Sequence, residues 1–305
     1  MSAPRVTVIM RAKNSDWVIA QALSGLFSQD YRDFELLVVD SGSTDRTLEI
    51  VRQYPCRLVE IPAGNYYPGA VLNDAIASVA TELVVLQNSD VVPLNPSALG
   101  NLVAAFDDPA VVAAYARQLP RPEADTWVRR DYAISFPPSG PGPEWITLSF
   151  PLAGMRRSAW ERRSFYTDAW GSEDTEWGHW AAGEGLVVRY VPESVVMHSH
   201  NYTLTQLTGR RFIEGEADAF IYGGRDTSAT ALRRALAATV RDIGPHVAAG
   251  DWRGLLETPA RRWVYSWAYH RGHVHGEARI ASGSKDVTTG QRMVLDRHES
   301  VRGPK

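Results

Sequence analysis

A polar cluster that follows an apolar run is the first place in this sequence where chemistry could occur. Leu83–Gln87 is rich in Val and Leu and predicts a short buried strand, and Asn88-Ser89-Asp90 follows directly. In an open α/β sheet, ligands bind beyond the carboxyl ends of the strands. A carboxylate beside two short hydrogen-bonding side chains suits a hard divalent cation and the phosphates it carries. A polar turn after a core strand explains the cluster equally well.

A second candidate loop, Asp40–Asp45, reads Asp-Ser-Gly-Ser-Thr-Asp and follows another apolar run. Its carboxylates could accept hydrogen bonds from a ribose or a base, and the helix that follows could offer backbone N–H groups to phosphate. An ordinary capped connection between strand and helix is the alternative. The sequence contains neither a G-x-G-x-x-G fingerprint nor a P-loop. This argues against dehydrogenases and P-loop kinases.

Two histidines, His198 and His200, stand two positions apart in a segment that reads as extended. Residues with this spacing point to the same face of a strand, so both imidazoles could reach one ligand. One ring could coordinate a metal while the other supports it or contacts phosphate. A purely structural role is the alternative.

The stretch 170–180 combines acids with indole rings. It contains Glu173, Asp174, Glu176, Trp170, Trp177 and Trp180. This mixture suits sugar binding, because aromatic faces cover C–H surfaces while acids accept hydroxyl protons. It also suits the start of an acidic helix, where the helix dipole favours carboxylates.

Strands and helices alternate in the first part of the chain. Strands are predicted at Val6–Met10, Asp33–Val39, Arg57–Ile61 and Leu83–Gln87, with helices between them. This spacing predicts an α/β fold with a mainly parallel sheet covered on both faces. Further predicted elements are strands at 111–117, 145–152, 185–191 and 194–201, an irregular loop at 120–143, helices at 205–222, 229–243 and 259–271, and a polar tail at 281–305.

Composition narrows the class of protein. The 305 residues are 44% hydrophobic with a formal net charge of −3, which argues against a nucleic-acid-binding protein. Cys56 is the only cysteine, so a disulfide framework and a thiolate metal site are not expected. The N-terminus lacks the layout of a signal peptide, and no apolar run approaches the ~18 residues of a membrane span. A cytoplasmic location is therefore expected.

The segment 261–276, RRWVYSWAYHRGHVHG, mixes basic and aromatic residues. Such a segment could lie on a membrane surface that carries a lipid-linked acceptor. A helix packed on the catalytic domain, with its basic side chains in water, is the preferred interpretation. Its histidines His270, His273 and His275 resemble a metal cluster only in spacing.

Six stretches together resemble a known family. VTVIMRAKN, FELLVVDSGSTDRTLEI, YYPGAVLNDAIASVA, LQNSDVVP, GSEDTEWGHW and VPESVVMHSHNY occur in the order typical of family 2 glycosyltransferases with a GT-A fold. The sequences DSGSTDRT and HSHNY most resemble those of bacterial rhamnosyltransferase-like members. The resemblance implies a GT-A catalytic domain over 1–203, with a nucleotide-sugar half at 1–93 and an acceptor half at 94–203. A helical C-terminal extension over 204–280 and a polar tail over 281–305 complete the expected organisation.

The resemblance also implies roles for individual residues. The implied nucleotide-sugar-binding residues are Arg11, Asn14, Asp40, Gly42, Gly69, Asn73, Asn88 and Ser89. Asp90 and His198 are the implied metal ligands, with Mn or Mg as the cation, and Asp174 is the implied general base with Glu173 beside it. The acceptor side would include Trp170, Trp177 and His200. Asn88 departs from the family pattern, which has Asp there, so the metal could be held more weakly.

The function expected on these grounds is inverting transfer of a sugar from a nucleotide diphosphate-sugar to an acceptor hydroxyl, in surface polysaccharide or glycoconjugate synthesis. The acceptor would be a saccharide or a lipid-linked sugar, and peripheral membrane contact stays open. The stretch 170–180 lacks Arg and Lys, so a neutral sugar is expected, with dTDP-rhamnose as the leading donor. The alternative is a nucleotide-sugar-binding protein without turnover that partners another transferase.

Overall fold

In a computed structural model that describes residues 4–298, with side chains up to residue 295, the chain forms one eight-stranded sheet and eleven α-helices. The strands are β1 (Val6–Ala12), β2 (Phe34–Asp40), β3 (Arg57–Glu60), β4 (Leu83–Asn88), β5 (Val92–Pro93), β6 (Val111–Leu119), β7 (Leu152–Arg156) and β8 (Val187–Met197). The helices of the first half are α1 (Ile19–Phe27), α2 (Thr47–Val51), α3 (Pro68–Ala77), α4 (Ala98–Ala104), α5 (Thr126–Ser135), α6 (Arg157–Arg162) and α7 (Glu173–Gly183). The helices of the second half are α8 (Leu204–Tyr222), α9 (Ser228–Ala249), α10 (Trp252–Ser282) and α11 (Thr288–His298).

The strand order is β3-β2-β1-β4-β7-β6-β8-β5. The pairs β1–β2, β1–β4, β2–β3 and β6–β8 are parallel, whereas β7 runs antiparallel to both β4 and β6. The predicted α/β fold with a mainly parallel sheet is confirmed. Helices cover both faces of this sheet, as a parallel sheet requires.

Alternate residues of the central strands feed two separate core layers. In β4, Val85 packs with Leu23 and Leu102 on one face, while Val84 packs with Leu72 and Ile76 on the other. Because both faces of the strand are buried, its sequence reads as a continuous apolar run, and this made the strand easy to predict.

The chain divides into two compact units. The sheet unit runs up to Arg121 and continues through 132–165 and 173–199, and the helical unit comprises 122–131, 166–172 and the residues from His200 onward. The expected boundary at residue 203 lies close to the last crossover, but two short segments of the first 203 residues belong to the helical unit.

Several predicted elements differ from those observed. The strand expected at 145–152 is wrong, since the strand in this region is β7, and the strands expected at 185–191 and 194–201 form one continuous β8. The irregular loop at 120–143 contains α5, and the polar tail contains α11, of which the structure describes residues up to 298.

Helix α10 starts before and ends after the predicted helix at 259–271. Asp251 caps α10 through the N–H of Gly254 at 2.8 Å, so the helix begins before Pro259. Gly272 lies inside it because a Cβ there would come within 1.9 Å of the Phe212 carbonyl oxygen on α8. This glycine serves close helix packing and does not end the helix. Within residues 4–298, no helix combines the length and the apolar character that crossing a membrane requires.

Candidate active site

The carboxyl ends of β1, β2 and β4 meet at one edge of the sheet. The register pairs Ala12 with Asp40 across β1 and β2, and Arg11 with Asn88 across β1 and β4. Three separate stretches of the sequence therefore deliver their predicted site residues to the same place. This is the edge at which ligands bind in open α/β sheets.

The loops after β1 and β2 are joined by side-chain hydrogen bonds. Asn14 accepts the N–H of Thr44 on Oδ1 at 2.8 Å, and its own N–H donates to Ser43 Oγ at 2.9 Å. Asn14 adopts a positive φ of 47°, a conformation that Asn tolerates better than most residues. The two loops consequently form one rigid rim.

Asp40 shapes the loop that follows it. Its carboxylate accepts the N–H groups of Gly42 at 3.0 Å and Ser43 at 2.8 Å, and its side chain is almost completely buried. Gly42 has a φ of 82°, and a Cβ there would lie 3.2 Å from Ala63. The sequence DSG thus encodes a tight turn that the Asp40 carboxylate closes by accepting the N–H groups of Gly42 and Ser43.

Two buried serine hydroxyl groups support this edge of the sheet. Ser89 Oγ and Ser15 Oγ lie 2.7 Å apart, both buried, and the Ser15 N–H donates to Thr47 Oγ1 at 2.7 Å. Ser89 therefore braces the loop after β1. Ser89 is buried, so it has a supporting role and is not exposed for contact with a ligand.

Arg11 lies between an acid and an amide. Its Nη1 donates to Glu173 Oε1 at 2.8 Å, and its Nη2 donates to Asn88 Oδ1 at 3.3 Å. Burial alone would lower the pKa of the guanidinium, but Tyr66 and Glu173 raise it above the ordinary Arg value. Arg11 is therefore a permanent cation at this edge. Tyr66, which no sequence motif marked, is partly buried beside it, and this burial raises the pKa of its phenol.

Asp174 is oriented by backbone N–H groups. Its Oδ2 accepts the N–H of Phe150 at 3.2 Å, and its Oδ1 accepts the N–H of Thr175 at 2.8 Å in the first turn of α7. A carboxylate offers about four acceptor positions, so two such bonds fix its direction and leave it able to accept a proton. Glu173 and Asp174 are adjacent, yet they have different partners.

Asp90 and His198 face each other. Asp90 Oδ2 lies 3.8 Å from His198 Nε2, and the two side chains are only 15% and 11% exposed. This separation is too long for a hydrogen bond, and both atoms are typical ligands of a divalent cation.

The other ring nitrogen of His198 explains why Nε2 points at Asp90. His198 Nδ1 lies 2.9 Å from Gln118 Oε1 and 3.2 Å from Tyr132 Oη. Gln118 Nε2 in turn donates to Ser149 Oγ at 2.9 Å, which sets the direction of the amide. This arrangement puts the proton on Nδ1 and the lone pair on Nε2, the form of His that binds metals. The residues present therefore fit a divalent cation.

Arg121 is a cation close to Asp90 that the sequence analysis missed. Its Nη2 donates to the Asp90 carbonyl oxygen at 2.6 Å, its guanidinium lies 4.8 Å from the centre of the Trp17 ring, and its Nε is buried without a partner. No motif marks this residue, because it follows β6 in a stretch that reads as a loop. Gln118, near the end of β6, and Tyr132, in α5, likewise belong to no sequence motif.

Some predicted contact residues occupy other environments. Trp177 lies in the core and donates from Nε1 to the Arg163 carbonyl oxygen at 2.9 Å, and Trp170 is almost completely buried in the helical unit. The expectation that these two indoles present faces to a sugar is therefore wrong. Both indole rings are packed inside the protein.

Asn73 is engaged on both sides of its amide. Oδ1 accepts the N–H of Phe165 and the indole N–H of Trp160, each at 2.9 Å, and Nδ2 donates to the Phe165 carbonyl oxygen at 2.8 Å. Gly69 is buried in the first turn of α3, and His200 opens the helical unit, where its ring stacks on Tyr202 at 5.3 Å.

The three histidines of α10 do not share a ligand position. His270 pairs with Asp226 at 3.0 Å, His273 with Glu277 at 2.9 Å and His275 with Glu216 at 3.6 Å. Each imidazole has its own carboxylate partner, so the spacing of these residues reflects helix packing rather than a metal cluster.

Comparison with known families gives one match over half of the chain. The model of Glycosyl transferase family 2 matches residues 7–164, which contain β2 to β4, all but the first residue of β1, and the residues Arg11, Asp40, Asn88 and Asp90. The O-antigen chain rhamnosyltransferase RfbN of Salmonella typhimurium is 25% identical over 69% of this chain and 71% of its own length. WbaN of Salmonella anatum, another O-antigen chain rhamnosyltransferase, is 28% identical over 59% of this chain and 61% of its own length. The alignment thus spans less than two thirds of WbaN.

Solved structures share the fold. The mannosyltransferase PcManGT of Pyrobaculum calidifontis, in complex with GDP-Man and Mn2+, superposes with a TM-score of 0.64 over 91% of this chain and 88% of its own, at 22% identity. Staphylococcus aureus TarS 1–349 in complex with UDP-GlcNAc gives a TM-score of 0.52 over 92% of each chain, at 16% identity. Both are GT-A folds, and the predicted fold class is confirmed.

Proposed function

Since this chain belongs to glycosyl transferase family 2, we propose that it transfers a neutral sugar from a nucleotide diphosphate-sugar to an acceptor hydroxyl with inversion at the anomeric carbon. The observation that carries the proposal is the meeting of Arg11, Asn88 and Asp90 with the DSG loop at one sheet edge. A cation, an amide and a carboxylate that can hold a divalent cation are groups that a nucleotide diphosphate requires.

The nucleoside is held by the rim formed by the loops after β1 and β2. In this proposal, Asp40 acts by fixing the backbone of Gly42 and Ser43, and Asn14 locks that loop to the end of β1. Asn73 acts as a positioning residue, because its amide holds the 160–165 segment. These roles differ from direct contact with the base and predict different mutant phenotypes.

The diphosphate lies near Asp90, where Arg121 supplies positive charge. A divalent cation held by Asp90 and His198 would neutralise the charge that develops on the leaving diphosphate. Gln118 and Tyr132 keep His198 Nε2 directed at that position. The two O-antigen chain rhamnosyltransferases support a role in surface polysaccharide synthesis, and the Mn2+ complex of PcManGT supports Mn as the cation.

Asp174 is the proposed general base. Bonds from Phe150 and Thr175 orient its carboxylate, which accepts the proton of the acceptor hydroxyl as the oxygen attacks the anomeric carbon. Glu173 is the counter-ion of Arg11 and has a positioning role. Attack from the face opposite the leaving group inverts the configuration, so one carboxylate is sufficient.

The proposed donor is dTDP-rhamnose, on the strength of the two rhamnosyltransferase relatives. A panel of dTDP-rhamnose, UDP-glucose, GDP-mannose and a UDP-uronic acid, compared by thermal shift with Mn present, tests this. We expect the largest shift with dTDP-rhamnose. Preference for UDP-glucose or GDP-mannose would overturn the rhamnose assignment alone, whereas preference for the uronic acid would overturn the neutral-sugar proposal.

A further inference from the structure

One face of the helical unit carries large apolar side chains that face solvent. On α9 they are Leu232, Leu236, Val240, Ile243 and Val247, each more than two fifths exposed. Their spacing of four, four, three and four residues places them in one stripe along the helix. The stripe is distinct from the buried residues of the same helix, Ala235, Asp242 and His246.

Helix α10 continues the same surface. Trp252, Leu256 and Trp263 are 62%, 82% and 45% exposed, and the ring of Trp263 stacks on Trp267 at 5.3 Å. Together with the stripe of α9, these three side chains define the apolar face of α9 and α10. Leu256 in particular has no packing role that would explain a leucine.

The two stripes lie on the same side of the helix pair. The two helices contact each other through Arg262 and Asp242, whose Nε and Oδ2 atoms lie 2.5 Å apart. At about 100° per residue, each stripe lies about 100° around its helix from the residues of that contact. In an antiparallel pair these rotations turn both stripes to one side, so the apolar face is continuous.

Exposed arginines outnumber exposed acids on these two helices, and Arg233 and Arg253 lie beside the apolar face. The charged residues of α9 and α10 that the structure describes as exposed are Arg233, Arg241, Arg253, Arg271 and Glu257. Four cations against one acid give a local charge of +3 in a chain whose net charge is −3. Trp and Leu beside exposed Arg are typical of helices that lie in the surface of an anionic bilayer.

We propose that the apolar face of α9 and α10 docks on the surface of an anionic lipid bilayer. Leu256, Trp252 and Val240 enter the boundary between headgroups and acyl chains, while Arg233 and Arg253 contact lipid phosphates. A second copy of this chain fits less well, because a two-fold contact would bring two sets of arginines together.

Co-sedimentation of the full chain with vesicles tests the proposal. Vesicles of phosphatidylcholine alone are compared with vesicles containing about one third phosphatidylglycerol, at about 0.1 M and about 0.5 M salt. We expect binding to the anionic vesicles at low salt, weakened at high salt, and little binding to the neutral ones. Absence of binding to the anionic vesicles would overturn the proposal.

Paired variants locate the surface. Leu256→Glu with Val240→Glu should reduce vesicle affinity at least about 10-fold, since both side chains are exposed and both changes oppose insertion. Trp145→Glu is the matched control, because Trp145 is 64% exposed in the sheet unit, and its binding should stay unchanged. Thermal unfolding of each variant shows that the fold is retained.

A charge variant gives an independent readout. Arg233→Gln with Arg253→Gln should weaken binding and flatten its salt dependence, whereas Arg52→Gln, directly after α2 in the sheet unit, should do neither. Light scattering on the same samples reports oligomeric state. A concentration-dependent dimer that the Leu256→Glu change abolishes, without vesicle binding, would assign the face to a second copy and contradict the proposal.

Discussion

Arg11 Nη1 donates to Glu173 Oε1 at 2.8 Å, in an ion pair whose side chains are 16% and 8% exposed. Removing one partner of a buried ion pair is expensive, of the order of 3–5 kcal/mol, because the other charge stays buried. This bond separates the roles of two adjacent acids. Glu173 neutralises Arg11, and Asp174, held by backbone N–H groups, serves as the base in the proposed mechanism.

The first prediction concerns these two acids. Asp174→Asn keeps the size of the side chain but cannot accept the acceptor proton, so kcat should fall at least ~100-fold with donor affinity nearly unchanged. Glu173→Gln should keep kcat within about 10-fold but lower the unfolding temperature, since Arg11 loses its counter-ion. Steady-state kinetics and thermal unfolding measure both. If Glu173→Gln lost turnover and Asp174→Asn retained it, the assignment would be reversed.

The second prediction concerns the metal. Gln118→Ala removes the acceptor that directs His198, so Mn-dependent affinity for a nucleoside diphosphate should fall about 10-fold or more. Calorimetry with Mn and with a chelator measures this. Gln29→Ala is the matched control, because Gln29 is also a buried glutamine. Its hydrogen bonds are to the backbone of Asn95 and Leu99 and not to a candidate metal ligand.

Equal affinity of the unchanged protein with Mn and with chelator would contradict the metal assignment. His198→Ala should reproduce the loss seen for Gln118→Ala, and the double change should add little, because both act on one ligand atom.

The third prediction concerns Arg121. Arg121→Met removes the charge near Asp90 but preserves much of the side-chain volume over Trp17, so affinity for a nucleoside diphosphate should fall about 10-fold. Arg189→Met is the control, since Arg189 pairs with Asp108 at the opposite edge of the sheet. Titration calorimetry measures both. An unchanged dissociation constant for Arg121→Met would remove this residue from the diphosphate site.

The fourth prediction separates positioning from contact. Asn73→Ala removes three hydrogen bonds to Phe165 and Trp160, so the free energy of unfolding should fall by about 2–4 kcal/mol. Donor affinity per folded molecule should change less than about 2-fold, because the amide is engaged inside the protein. Urea unfolding and calorimetry give the two values. A large loss of affinity with unchanged stability would assign Asn73 a direct contact with the nucleotide.

The sequence predicted β1, β2 and β4 and their ends well for a physical reason. β1 and β4 are buried on both faces, so each is a short apolar run that ends where polar residues begin. Because parallel strands end at one edge of the sheet, the sequence alone was sufficient to place Arg11, Asp40 and Asn88 close together.

The supporting residues could not be predicted in this way. Gln118 and Arg121 come from β6 and its following turn, about 30 residues beyond Asp90, and reach the site only because β7 places β6 beside it in the sheet. The opposite error occurred at Trp177, where an acidic, indole-rich stretch looked like a sugar surface. Which face of α7 enters the core depends on contacts with distant segments, such as the hydrogen bond from Trp177 to the Arg163 carbonyl oxygen, and local sequence does not encode that choice.

The proposed reaction is turnover of a nucleotide diphosphate-sugar at the edge of the sheet that holds Asp90 and Asp174. It is tested most directly by release of nucleoside diphosphate from dTDP-rhamnose under single-turnover conditions, with Mn and a panel of saccharide acceptors, and with the product's anomeric configuration read by NMR. We expect acceptor-dependent release with inverted configuration, lost in both Asp90→Ala and Asp174→Asn. Donor binding without release for every nucleotide sugar and acceptor tried, or release that persists in both variants, would contradict it.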